Sequence, residues 1–289
     1  MKIKYNNYSS SISLTAHHTS YTWYANSLSH KVFATNAGRF SYYGLKPLMF
    51  LGKYILGISD LESSLIQRHL ILNHLLEKAI KENGVTQVLE LACGLSPSGF
   101  YFKQKKEFRD ILYIEADLPE MAKQKKAMLK KAGLLGHNHK VISCNILNNS
   151  GPESIYAIAE KYLDPNKPTA VITEGLINYF DLPDMKNMWA ETAKIFKSFS
   201  GGVYLTDNLP IQNEHPYFFL MKMWSHMLGT LMGSGFYMHF KSDKEAEAGF
   251  KDAGFKKARV IYPEDMKKEL PALPLSRKPS FLSVMEAMF

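Results

Sequence analysis

The sequence predicts an α/β fold: a doubly wound, seven-stranded, mostly parallel sheet, preceded by a helical lid and interrupted by a helical cap. Three observations predict it. Beyond Asn83-Gly84, short apolar runs alternate with amphipathic helical stretches almost without a break, the pattern of repeated βα units. The first run, Gln87 to Leu91, opens directly into a turn of small residues. The fifth is followed by Pro210 to Phe240, a segment crowded with Phe, Tyr, Trp and Met.

Residues 1–45 are rich in Ser, Thr, Tyr, Asn and His with weak apolar periodicity, and read as an irregular arm leading into short helices. From Asp60 to Asn83 apolar residues recur at the helical period, at Leu61, Leu65, Ile66, His69 or Leu70, Leu72, Leu76 and Ile80, with Asp60 as N-cap and Asn83-Gly84 as stop. Strands are expected at Gln87 to Leu91, Ile111 to Glu115, Lys140 to Cys144, Ala170 to Thr173, Gly202 to Thr206, Ala258 to Tyr262 and Ser280 to Met285. The helices between them are Ser98 to Lys105, Pro119 to Lys131, Pro152 to Tyr162, Leu182 to Phe199 and Asp243 to Ala253. This gives an arm and lid over residues 1–83 and a core over 84–289, with the cap at about 210–241. A chain of 289 residues suits one large α/β unit with such an addition. Ligands in open α/β sheets bind beyond the carboxyl ends of the strands, so the cap is placed to roof a site.

Composition excludes several classes. With 46% hydrophobic and 21% charged residues the chain is an ordinary globular protein. The net charge of +8 invites a nucleic-acid or membrane-surface reading, but the lysines gather in short helical clusters (Lys103, Lys105 and Lys106; Lys123 to Lys131) that read as solvated helix faces. No nucleic-acid partner is expected, nor a membrane span, since Lys222, His226 and His239 interrupt the most apolar stretch. Cys93 and Cys144 cannot build a disulfide framework, which with the lack of a secretory leader pattern suits a reducing cytoplasm. The histidines show no metal-ligand spacing, and no metal site is expected.

The most informative stretch is Val88-Leu89-Glu90-Leu91-Ala92-Cys93-Gly94-Leu95-Ser96-Pro97-Ser98-Gly99. Gly94 and Gly99 have the spacing of a phosphate-cradling loop, but Phe100 stands where its lysine is needed, and the triple-glycine dinucleotide pattern is absent. An acid, then a small residue two positions on and a glycine two further, is instead the arrangement of S-adenosylmethionine-dependent methyltransferases. That cofactor carries a sulfonium, an ammonium and a carboxylate. Glu90 would complement the cations, with Ala92 and Gly94 letting backbone approach the ligand; Glu90 equally suits a structural carboxylate capping the turn. The second strand delivers Glu115 and Asp117 about 20 residues on, where a carboxylate holds ribose hydroxyls. Asp117 also suits a helix N-cap ahead of Pro119. Asn145 and Ile146 follow the third strand, suited to the adenine amino group and ring face, and Glu174-Gly175 follow the fourth. Arg68, on the helix before the first strand, fits either the cofactor carboxylate or the surface.

At these residues the sequence resembles the leucine carboxyl methyltransferase family, and more closely its bacterial polyketide-type O-methyltransferases. The matching segments are Ser13-Leu14-Thr15-Ala16 with Tyr21 to Tyr24, Arg68, LELACGLSPSG, IEADLP and TEGLINYF, in order from Ser13 to Asp207. The resemblance implies cofactor contacts by Arg68, Gly94, Asp117, Asn145 with Ile146, and Glu174. Asn145-Ile146 replaces the family's usual Asp-Leu pair, and His17-His18 occupies the neighbourhood where the protein-phosphatase members carry a lysine.

The expected reaction is in-line methyl transfer to a carboxylate or hydroxyl of a small, apolar acceptor, with alignment supplying on the order of 7–11 kcal/mol. A carboxylate needs no general base and a phenol does; Tyr179, Asn208 and His239 are the candidates near the crevice. The alternatives are a protein C-terminal carboxyl methyltransferase and a non-catalytic S-adenosylmethionine-binding protein.

Overall fold

A computed structural model describes residues 15–56, 61–211, 236–275, 280 and 282–289. Helices α1 (residues 15–25), α2 (Asn36–Leu56) and α3 (Leu61–Asn83) precede the sheet. Then follow β1 (Gln87–Leu91), α4 (Ser98–Gln104), β2 (Leu112–Asp117), α5 (Pro119–Lys131), β3 (His139–Ser143), α6 (Ile155–Tyr162), β4 (Thr169–Thr173), α7 (Leu182–Phe196), β5 (Gly202–Asn208), α8 (Asp243–Asp252), β6 (Lys257–Ile261) and β7 (Ser283–Met288). The strand order is β3-β2-β1-β4-β5-β7-β6, all parallel except β7, which is antiparallel to both β5 and β6. This is the doubly wound, mostly parallel sheet the sequence predicts, and the order reverses between β1 and β4. No described helix is long and apolar enough to cross a membrane.

Local chemistry sets the boundaries. Gly84 ends α3 at φ +68°, where a side chain would be strained. Asp181, Ser154 and Ser242 cap α7, α6 and α8 through side-chain oxygens, and Pro119 starts α5. Alternate strand residues serve opposite faces. Leu89, Leu91, Ile114 and Ala116 pack under α6, α7 and α8 with Trp189, Phe196 and Phe250, while Val88, Tyr113, Ala170 and Ile172 pack against Leu72, Leu76 and Phe102 of α3 and α4. Trp189 is fully buried, donates to the Tyr204 hydroxyl at 3.2 Å and lies 4.4 Å from the Phe250 ring.

Three expectations need correction or restriction. The arm over residues 1–45 is not irregular throughout: α1 and the 21-residue α2 occupy most of its described part. The apolar period was obscured because Gly38 stands on the buried face of α2, where a Cβ would lie 2.2 Å from the His17 carbonyl oxygen. The last strand begins three residues later than expected because its register is set by pairing with β5 and β6 and by Phe289, which stacks on Phe196. The cap falls mostly outside the described residues, but its two flanks meet where the Ile211 amide donates to Phe240 O at 2.6 Å.

Trp189→Ala removes a ring shared by α7, α8 and the sheet. It is expected to cost about 3–5 kcal/mol in denaturant unfolding; a loss below about 1 kcal/mol would show that this layer is not the principal core.

Candidate active site

The carboxyl ends of β1 to β4 open onto a cavity of about 1110 Å³, roofed by Thr15, Ala16, Thr19 and Trp23 of α1. Its floor begins with the turn after β1. Ala92 and Gly94 both adopt positive φ, +50° and +47°, and a Cβ on Gly94 would come within 3.2 Å of the Ala16 Cβ. Positive φ is uncommon for alanine, so the surrounding contacts hold this turn in place. Asp117, at the tip of β2, is the main clamp: its Oδ2 accepts from the Gly94 amide at 2.6 Å and its Oδ1 from the Leu118 amide at 2.7 Å. Burial pushes the Asp117 carboxyl above its ordinary range, although the two amides pull it back. It is not the cap of α5; Leu118 occupies that position. Asn145 and Ile146 line the same cavity after β3, with Asn145 Oδ1 accepting from the Leu147 amide at 3.1 Å.

Arg68 joins the ends of β4 and β5. Its Nε donates to Glu174 Oε1 and its Nη1 to Asp207 Oδ2, both at 3.2 Å. The Gly175 amide donates to Asp207 Oδ1 at 2.6 Å, and a Cβ on Gly175, at φ +69°, would lie 2.7 Å from Arg68 Nη2. Glu174 Oε2 lies 3.0 Å from His69 Nδ1, and His69 Nε2 lies 3.1 Å from Asn73 Nδ2. Burial alone would raise the Glu174 carboxyl, but His69 and Arg68 outweigh it and hold it below the ordinary range. Tyr179 lines the cavity, and its hydroxyl bonds to the Thr15 side chain. Burial raises its pKa despite Thr15 and Arg68, so the phenol stays protonated near neutrality.

Of the sequence-predicted residues, Arg68, Ala92, Gly94, Asp117, Asn145, Ile146, Glu174, Gly175 and Tyr179 are brought together at this cavity. Four others are not. Glu90 and Glu115 are register partners one pleat short of the strand ends, so they lie inside the molecule rather than above the carboxyl edge. Glu115 meets Lys125 Nζ and His139 Nε2, each at 2.8 Å, and Glu90 accepts from the Tyr113 hydroxyl at 2.8 Å. Lys125 is 0% exposed, which corrects its reading as part of a solvated lysine face. Gly99 belongs to this buried cluster, since a Cβ there would come within 2.7 Å of Glu115 Oε1. His239 is buried beside the cavity, where its Nε2 donates to the Ile177 carbonyl at 2.7 Å and burial lowers its pKa. Asn208 is buried at the end of β5 opposite Ser283.

The sequence reading missed Asp207 and His69. Ending β5 at Thr206 cut off the first, and counting His69 as an apolar helical position hid the second, although its spacing from Arg68 and Asn73 on α3 was available. Among the described residues, no group of three or more His, Cys, Asp or Glu side chains is placed to hold a metal ion.

Comparisons with known proteins agree with this architecture. Residues 55–191, nearly half of the chain, match the leucine carboxyl methyltransferase family. The fold is similar to a candidate methyltransferase from Thermobifida fusca YX, at a TM-score of 0.62 and 15% identity over 94% of this chain and 93% of that one. It is similar to a DUF574 family protein from Streptomyces avermitilis MA-4680, at 0.59 and 9% over 94% and 96%. A candidate O-methyltransferase from Nostoc punctiforme PCC 73102 follows at 0.51 and 13% over 79% and 60%. No curated protein matches the chain in sequence.

The buried carboxylates give a pH-dependent expectation. Burial, reinforced by Glu115 and opposed by Lys125, pushes Glu90 up to about 7. A carboxyl raised on folding costs nothing when protonated in both states, and destabilises increasingly as pH rises through the unfolded and then the folded pKa. Glu90→Gln, which keeps an acceptor for Tyr113, should stabilise the fold by about 1–3 kcal/mol at about pH 8 and by little at about pH 4. Denaturant titrations at the two pH values measure this, and a larger gain at the acid end would contradict it.

Proposed function

We propose that this chain, which matches the leucine carboxyl methyltransferase family over residues 55–191, is an S-adenosylmethionine-dependent methyltransferase that methylates an oxygen, first of all a carboxylate, on a small and largely apolar acceptor. The residues present suit the cofactor. Among the described residues Asp117, Glu120, Glu174 and Asp184 line the cavity against one cation, Arg68, so an acidic crevice faces a cationic ligand on a protein of net charge +8. Asp117 would hold the ribose hydroxyls, Asn145 and Ile146 the adenine, and Arg68 with Glu174 the amino-acid end. Bound there, the cofactor supplies a methyl group on a sulfonium sulfur, open to direct attack by an acceptor oxygen.

The chain's own part is to align the acceptor and exclude water. At about 1110 Å³ the cavity exceeds the roughly 300–1,000 Å³ that one drug-sized ligand occupies, which leaves room for a second small molecule. Leu176, Phe180 and Met188 give that remaining space an apolar wall, and Thr15, Ala16, Thr19 and Trp23 of α1 cover part of it from above. The observation that carries the choice of a carboxylate is the kind of proton acceptor the described lining offers: carboxylates, which are weak bases toward an alcohol or phenol, and neither imidazole nor phenolate. Among the described residues no imidazole lines the cavity, and the Tyr179 phenol is held protonated. A carboxylate is already nucleophilic and needs neither. Tyr179 then serves to position rather than to abstract a proton. A cavity of this volume beneath α1 also favours a small acceptor over a protein C-terminus, for which a shallow groove would be expected.

The test is formation of S-adenosylhomocysteine by the purified protein with a panel of apolar carboxylic acids and, separately, a peptide ending in leucine. Turnover with the small acids is expected, and Tyr179→Phe should keep kcat within about tenfold, whereas loss of a general base costs about 10²–10⁴-fold. Turnover with the peptide alone would transfer the reading to protein C-termini; cofactor binding without turnover on any acceptor would leave a binding protein.

A further inference from the structure

The outer face of α2 carries large apolar side chains beside cations. Gly38, Ser41, Tyr42 and Leu45 turn inward, and Gly38 lets the helix lie against the His17 carbonyl and Tyr21 of α1. The opposite face presents Phe40, 84% exposed, Tyr43, 53% exposed, and Pro47 at the next helical step. The sequence continues that 3-4 spacing at positions 50 and 54, a Phe and a Tyr. Tyr24, on α1, is 39% exposed, so three of the large exposed apolar side chains belong to this helix pair. Beside the stripe stand Arg39 and Lys46, seven residues apart, and α2 holds no acidic residue. Arg39 and Lys46 form no ion pair among the described residues; Lys46 Nζ instead sits over the Tyr42 and Tyr43 rings at 5.0 and 5.7 Å.

We propose that this face of α2 docks on an anionic lipid surface. An aromatic stripe flanked by lysine and arginine is the make-up of a helix that lies in the bilayer interface, with rings at headgroup level and cations on lipid phosphates. Charge decides against the other apolar occupant. A second copy meeting this patch about a two-fold axis would set Arg39 and Lys46 against the same cations of its mate, with no acid on the helix to offset them. A bilayer carrying phosphatidylglycerol supplies the missing negative charge. The inference is independent of the reaction assigned to the crevice, although docking would bring the cavity's roof, one helix away, to the membrane.

Flotation with unilamellar vesicles tests it on the full chain. The protein should float with vesicles containing phosphatidylglycerol, stay behind with phosphatidylcholine alone, and be released by high salt. The double variants Phe40→Ser with Tyr43→Ser, and Arg39→Glu with Lys46→Glu, should each bind at least about tenfold less, with unchanged circular dichroism. No flotation of the wild type, or flotation equal in the variants, would overturn the proposal. So would a dimer in sedimentation analysis that the Phe40 and Tyr43 changes dissolve, because the face would then be a self-contact.

Discussion

The site depends on one guanidinium. Arg68 comes from a helix that precedes the sheet and bridges carboxylates at the tips of two adjacent strands, Glu174 after β4 and Asp207 on β5. Two buried carboxylates this close repel one another unless a cation lies between them. The bridge therefore fixes the angle at which α3 crosses the sheet, and with it the position of Trp23, which stacks 4.3 Å from His69 and donates to Leu65 O. The cavity roof is thus tied to its floor through charge as well as packing.

A second buried cation does the same work one layer lower. Glu90 and Glu115 are neighbours in the β1–β2 register, and Lys125 reaches in from α5 to compensate them while His139 completes the contact. Burial would raise the Glu115 carboxyl, but Lys125 and His139 hold it down to about 2, so the ionised form is the one the fold is built around. Removing Lys125, the cation of this set, would leave Glu115 charged and buried, a cost on the order of 3–5 kcal/mol, whereas Glu90 is the member whose charge the fold tolerates least. Above it, Asp117 clamps the Gly94 turn, so the loop that shapes the cavity stands on a layer of paired buried charges.

Much of this was legible in the sequence because periodicity and small-residue turns are local. The alternation beyond Gly84 placed the seven strands, and Gly94, Asp117 and Glu174 fell where strand ends converge. What escaped depends on depth rather than type. Glu115 and Asp117 share a face two residues apart, yet one is buried against Lys125 and the other clamps a cavity loop, a difference decided by where β2 ends. Lys125 sits in a run of lysines indistinguishable by composition, and only the helix phase turns it inward. Asp207 was lost with the last two residues of β5. The helix α2 was hidden because Gly38 and Ser41 interrupt the inward face that Tyr42 and Leu45 share, while Phe40 and Tyr43 stand on the exposed one, which blurs the usual amphipathic pattern.

The central claim is that the crevice at the strand ends holds S-adenosylmethionine through Asp117. Calorimetry of the wild-type protein and of Asp117→Ala with S-adenosylhomocysteine tests it most directly, with circular dichroism to confirm folding. Binding in the region of about 1 μM by the wild type and at least about tenfold weaker binding by the variant is expected. Equal affinity in the two proteins, or no binding by the wild type, would contradict it.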